Sequence, residues 1–170
     1  MLDSARLKDA LGAHLGVDPR NVHAYIIGEH GDSELAVWSS ANVSGVPLHD
    51  FCEMRGHFDH EASEKRIADE VKNAAYEIIN KKHATYYGIA MSVKRLCTAI
   101  MRDEKHILPV SSLMVGEYGL EDIAISMPTI VGRNGVECRV PVSLDEEELA
   151  ELHRSASALK DVIDQVDFNA

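Results

Sequence analysis

Val22-His23-Ala24-Tyr25-Ile26-Ile27-Gly28-Glu29-His30-Gly31-Asp32-Ser33-Glu34 is the stretch on which the fold turns. Val22, Tyr25, Ile26 and Ile27 predict a strand that stops at Gly28, because β-branched and aromatic side chains suit a pleated surface. The residues after Gly28, rich in Gly, Asp and Ser, predict a loop, and 35–43 predicts a returning second strand. Upstream, Leu7, Leu11 and Leu15 stand four apart and predict a helix over 3–15, stopped by Gly16 and Asp18-Pro19. A helix that begins this close to Met1, with no cap or connection before it, points to a segment upstream.

Downstream, 44–60 contains Pro47 and Gly56 and reads as irregular. Ile67, Val71, Ala74, Ala75, Ile78 and Ile79 recur at helical spacing and predict a half-exposed helix over 61–82. From Thr85 to Met101 apolar residues cover most of the circumference, which predicts a central helix buried on several sides. The segments 105–115, 123–131 and 136–142 predict strands, the last two joined through Asn134-Gly135, a strong hairpin signal. Ser143-Leu144-Asp145-Glu146 has capping-box spacing and opens a final helix with Leu149, Leu152, Ala156, Leu159, Ile163 and Val166 on one stripe. The expected class is α+β: antiparallel strands packed with long helices, in one domain over 1–170. No GxGxxG lies between a strand and a helix, so the chain carries no dinucleotide-binding fingerprint of its own and a Rossmann domain is absent.

Composition narrows the function classes. The chain has 170 residues, 45% of them hydrophobic, enough for a full core. Its 17 Lys and Arg against 28 Asp and Glu give a net charge of −11, which argues against nucleic acid or an anionic membrane as partner. Cys52, Cys97 and Cys138 are odd in number and contain no CxxC pair, so neither a disulfide framework nor a zinc site is expected, and a reducing cytoplasm fits. The start lacks the apolar core of a signal peptide, and no run of about 18 apolar residues suggests a membrane span.

Several residues invite chemistry, each beside a plainer reading. His30, between two glycines after a strand, is placed to act as a general acid and base, since histidine exchanges protons near neutrality; the alternative is an inert loop histidine. Asp3 and Arg6, three apart, project from one helix face, either as a surface ion pair or, if the His30 strand packs beside them, as orienter of the imidazole and clamp for a substrate carboxylate. Thr85, at the start of a helix, and Ile89, one turn on, line a pocket or serve as cap and core. Lys8, His23 and Arg20 form either a small anion site or scattered surface charge. His57 and His60 form an HxxH, weak as a metal site without further ligands at spacing, and no metal is expected.

Three segments together resemble the L-lactate dehydrogenase family: Leu2-Asp3-Ser4-Ala5-Arg6, then 21–34 from Asn21-Val22-His23 to Asp32-Ser33-Glu34, then Ala84-Thr85-Tyr86-Tyr87-Gly88-Ile89-Ala90. The resemblance extends to Ala170 and covers the C-terminal half of the family's length. It implies an NAD-dependent oxidoreductase of the cytoplasm that interconverts pyruvate and lactate. His30 would donate the proton to pyruvate, Asp3 would be its partner and Arg6 would bind the substrate carboxylate. Thr85 would sit beside the substrate and Ile89 would form the wall behind the nicotinamide. Lys8 and His23 fall where many bacterial members bind fructose 1,6-bisphosphate between subunits of an allosteric homotetramer, although lysine there loses arginine's two-pronged fork. Glu29 before the histidine is similar to lactate rather than malate dehydrogenases. A related 2-hydroxy-acid or malate dehydrogenase stays open, as does a non-enzymatic, self-associating module. By itself the chain is expected to be inactive, because the elements that dock the cofactor lie outside it.

Overall fold

The computed structural model describes residues 1–166; the last four positions of the expected 1–170 domain lie outside the described residues. Helix α1 (Leu2–Leu15) buries Leu7, Leu11 and Leu15 almost completely, so the four-residue spacing does form its inner stripe. Gly16 ends it with φ 69°, a left-handed turn that costs a glycine little. Strands β1 (Val22–Ile27), β2 (Leu35–Val43) and β3 (Val46–Pro47) form one antiparallel sheet, and β4 (His106–Val115), β5 (Glu121–Gly132) and β6 (Gly135–Arg139) form a second. Helices α2 (Leu48–Met54) and α3 (His60–Lys82) follow the first sheet, α4 (Tyr87–Met101) precedes the second, and α5 (Glu146–Ile163) closes the described chain. The class is therefore α+β with antiparallel sheets, and no Rossmann unit is present among the described residues.

Strand β1 is an edge strand, and an edge leaves every second residue's N–H and C=O unpaired. Two devices seal it. The Ser4 hydroxyl accepts from Ile26 N (2.9 Å) and donates to Ile26 O (3.2 Å), tying α1 to the strand. Two positions on, Gly28 and Ser126 exchange both backbone hydrogen bonds at 3.0 Å, which welds the first sheet to the second. Ser4→Ala removes a fully buried link and leaves two strand groups unsatisfied; a loss of about 2 kcal/mol is expected, read as a lower urea midpoint with an unchanged slope.

On the far side, the buried carboxylate of Glu148 accepts from Trp38 N (2.8 Å) and Ser39 N (2.9 Å) and fixes α5 against β2. The capping box is real, but its members are Asp145 and Glu148. The start at Ser143 is corrected by two residues, because Glu148 must reach both β2 and Asp145 N (3.1 Å). Leu152 and Ala156 are buried on α5, while Leu149, Ile163 and Val166 at the ends of the expected stripe are exposed.

Two other expectations are corrected. The stretch 44–60 is not irregular: it holds β3 and α2, and Pro47 stands directly before the helix, where its missing N–H costs nothing. Helix α4 is not buried on several sides, since Ala99 is its one buried residue and Tyr87, Ile89, Met91 and Val93 are each more than half exposed. An all-round apolar helix needs cover on all sides, and here Leu96, Ala99 and Ile100 alone pack into a core cluster. In the β5–β6 hairpin, Gly132 pairs with Gly135, so Arg133 and Asn134 form the tip and Gly135 takes the positive φ of 85°.

Candidate functional site

The chain turns sharply out of β1 at Gly28, whose φ is 93° and whose would-be Cβ lies 2.8 Å from Ser155 Oγ; both facts demand glycine. Ser155, fully buried on α5, accepts from Glu29 N at 2.8 Å. Its hydroxyl lies 3.2 Å from Ser33 Oγ, and Ser33 N in turn donates to Glu29 Oε2 (3.4 Å). The loop that carries His30 is thus held at both ends by a residue more than a hundred positions away. No feature of the sequence near His30 points to Ser155; the one available signal is a serine interrupting the apolar face of α5.

His30 projects from this loop with its side chain 77% exposed, and its Nδ1 lies 2.9 Å from Asp3 Oδ2. Asp3 is buried and uses its other oxygen to accept from Arg6 Nη1 at 3.0 Å. An Nδ1–H bonded to a carboxylate fixes the tautomer and leaves Nε2 to exchange a proton. Arg6 has no other protein partner among the described residues, so most of its guanidinium donors stay available to an anion. Imidazole, carboxylate and guanidinium line one cavity of about 230 Å³, with Lys72 and Tyr76 from α3.

Two neighbouring cavities share these residues. One of about 260 Å³ joins His30 and Asp3 to Ile89, Val93 and Leu96. A smaller one of about 130 Å³ joins Arg6 to Thr85 and Ile89. Thr85 lies two residues before α4 instead of opening it, which corrects the sequence placement, and the two still border one cavity. Arg6 and Ile89 each line two of these cavities, so the five residues border neighbouring spaces.

Glu34, missed by sequence reasoning, also borders the His30 cavities. Burial, followed by the negative charge of Asp3, pushes its carboxyl up to about 7. Asp3, His30 and Glu34 bring possible ligand atoms within 4.8 Å of one another, and Arg6 stands 3.0 Å from the other oxygen of Asp3. His57 and His60 are not gathered: His57 lies against His14 with centroids 4.1 Å apart, and His60 stacks on His49 at 4.3 Å.

Lys8 lines none of these three cavities; its Nζ lies 5.7 Å from the Tyr25 ring centroid and burial lowers its pKa. It lines a cavity of about 300 Å³ with Arg95 and His106. His23 is exposed on β1, two residues before Tyr25 and outside that lining, while Arg20 is committed to Asp18 at 2.6 Å. Arg20 is thereby engaged elsewhere, while the Lys8–Tyr25 contact sets α1 beside the strand that carries His23.

Comparison with known proteins adds a second line of observation. The family described as lactate/malate dehydrogenase, alpha/beta C-terminal domain, matches residues 1–169. An L-lactate dehydrogenase of Acetivibrio thermocellus is 49% identical over 168 residues, covering 99% of this chain and 53% of the relative. One of Bacillus velezensis is 49% identical over 162 residues, covering 95% and 51%. The crystal structure of the minor L-lactate dehydrogenase from Enterococcus mundtii in a ligands-bound form superposes with TM-score 0.92 at 48% identity, covering 99% of this chain and 53% of that one. Malate dehydrogenase of Cryptosporidium parvum superposes with TM-score 0.89 at 30% identity, covering 96% and 52%. The chain spans about half the length of the curated relatives it matches.

Proposed function

Because the chain belongs to the lactate/malate dehydrogenase family, as its alpha/beta C-terminal domain, we propose that it is the substrate-binding half of an NAD-dependent L-lactate dehydrogenase. The observation that supports this best is the convergence of His30 Nδ1, Asp3 and Arg6 on one cavity, within 3.0 Å of each other in sequence His30–Asp3–Arg6. Arg6 holds the carboxylate of a 2-oxo acid with its free donors. His30, oriented by Asp3, gives a proton from Nε2 to the carbonyl oxygen as the carbonyl is reduced, and takes it back from the hydroxyl in the reverse direction. Thr85 borders the neighbouring cavity that Arg6 also lines, beside the substrate.

The residues present fit the nicotinamide end of NAD: Ile89, Val93 and Leu96 offer an apolar wall in the cavity that also contains the imidazole. When bound, the cofactor supplies or accepts the hydride. Its phosphates and ribose would be held outside this chain, in the remaining length of the relatives, so the isolated chain is expected to be inactive. Lys8 and His23 are proposed to contribute to a fructose 1,6-bisphosphate site in a homo-oligomer of the cytoplasm. The three cysteines are free. Among the described residues no helix is long and apolar enough to cross a membrane.

The test is to join this chain to the nucleotide-binding half of the Acetivibrio thermocellus relative and follow NADH absorbance. Pyruvate-dependent oxidation well above that with oxaloacetate is the expected result. A folded hybrid that prefers oxaloacetate moves the assignment to malate, and one inert to both, in a size-defined oligomer, favours the non-enzymatic module. The exposed apolar face of α4 is the observation that keeps this second reading in play.

A further inference from the structure

We propose that Glu34 is a positioning residue for the proton step, a second carboxyl that sets how firmly the imidazole of His30 holds its proton. This rests on the reading of His30 as the proton-carrying group. Glu34 follows His30 by four positions, where the loop returns to β2, and both side chains border the same two cavities as Asp3. Its Oε2 lies 3.9 Å from His30 Nδ1, the nitrogen that Asp3 meets at 2.9 Å. The Glu34 side chain is only 9% exposed, and among the described residues no N–H or O–H donates to it. A carboxyl so enclosed is costly to ionise.

The charged groups that face Glu34 come from three places. From α1 come Asp3 and Arg6, with the amino group of Met1 just before it; from α3 comes Lys72, whose Nζ donates to Asp32 O at 2.6 Å; from the loop itself comes His30, and Asp32 lines the same cavity. Asp3 opposes ionisation of Glu34, while Arg6, Lys72 and the Met1 amino group favour it, and burial outweighs them all. Asp3 and Arg6 pair with each other, whereas Glu34 has no Lys or Arg within 4.0 Å among the described residues and lies beside Nδ1.

At 3.9 Å the charge on one group bears on the charge on the other. An ionised Glu34 favours the imidazolium. Once His30 has released a proton, the carboxylate faces a neutral ring and takes up a proton more readily. Glu34 acts on the reaction through His30 and does not touch the substrate. Near and above neutral pH, where the carboxyl ionises, it helps keep the imidazole loaded for carbonyl reduction.

Imidazole and carboxyl NMR signals of the 170-residue chain, followed from pH 5 to 9, test this in wild type, E34Q and E34D. In E34Q the His30 titration is expected to move to lower pH by about half a unit, while E34D keeps it near its wild-type place. The Glu34 carboxyl carbon is expected to titrate near pH 7. Amide dispersion identifies any variant that does not fold, and E34D retains the charge should E34Q fail. Coincident His30 curves in wild type and E34Q overturn the proposal. In the joined enzyme, the alkaline limb for pyruvate reduction is expected to move with the imidazole and the KM to stay put. If the imidazole moves and the limb does not, the coupling stands and the role of His30 as proton donor falls.

Discussion

His30→Asn in the joined enzyme is expected to lower kcat/KM for pyruvate by about 10²- to 10⁴-fold, the range for losing a general acid, which is about 3–5 kcal/mol of transition-state stabilisation. Asparagine keeps an N–H that can donate to Asp3 Oδ2, where the imidazole now sits at 2.9 Å, so the loop and the ion pair should survive. What it lacks is a proton to give. The loss should accordingly fall in kcat, with KM little changed, because Arg6 still holds the substrate. Since His30 is largely exposed and packs against little, thermal stability should stay within about 0.5 kcal/mol of wild type. A kcat within a few-fold of wild type would show that the proton comes from elsewhere.

Parts of this arrangement are legible in the sequence and parts are not, for physical reasons. Val22–Ile27 and Leu35–Val43 begin and end where their β-branched content and flanking turn residues place them, because local sterics and one buried face decide both. The i, i+3 spacing of Asp3 and Arg6 is likewise local geometry on one helix. That His30 reaches this helix is not local. It depends on Ser4 holding Ile26 and on Gly28 pairing with Ser126, contacts that span 22 and 98 residues. Ser155 and Glu34 escaped notice for the same reason: their importance comes from what the fold sets beside them.

Helix α4 shows the reverse failure. Its apolar circumference was read correctly, but burial is a property of the surroundings as well as of the sequence. The described residues cover one seam and leave Tyr87, Ile89, Met91 and Val93 in the open. Within the proposed function the mismatch has a meaning, since Ile89 must stay uncovered by its own domain to face a cofactor ring.

Arg6 is expected to show the second large effect, and the form of the loss separates clamp from structural partner. A guanidinium can give two parallel hydrogen bonds to a carboxylate, whereas an ammonium acts as a point charge. Arg6→Lys should therefore raise the KM for pyruvate by about 10- to 100-fold, corresponding to one charged hydrogen bond of about 1.5–3 kcal/mol. Arg6→Leu removes both bonds and leaves the buried Asp3 without the cation that now sits 3.0 Å away, so kcat/KM should fall by about 10²- to 10⁴-fold, the sum of two such bonds. The control is pyruvamide, which has the same carbonyl and no carboxylate. If Arg6 is a clamp, the preference for pyruvate over pyruvamide collapses in both variants, since the substrate's charge no longer has a matched partner. If Arg6 serves Asp3 alone, both substrates lose equally and the preference is retained, and that result would remove the guanidinium from the substrate site.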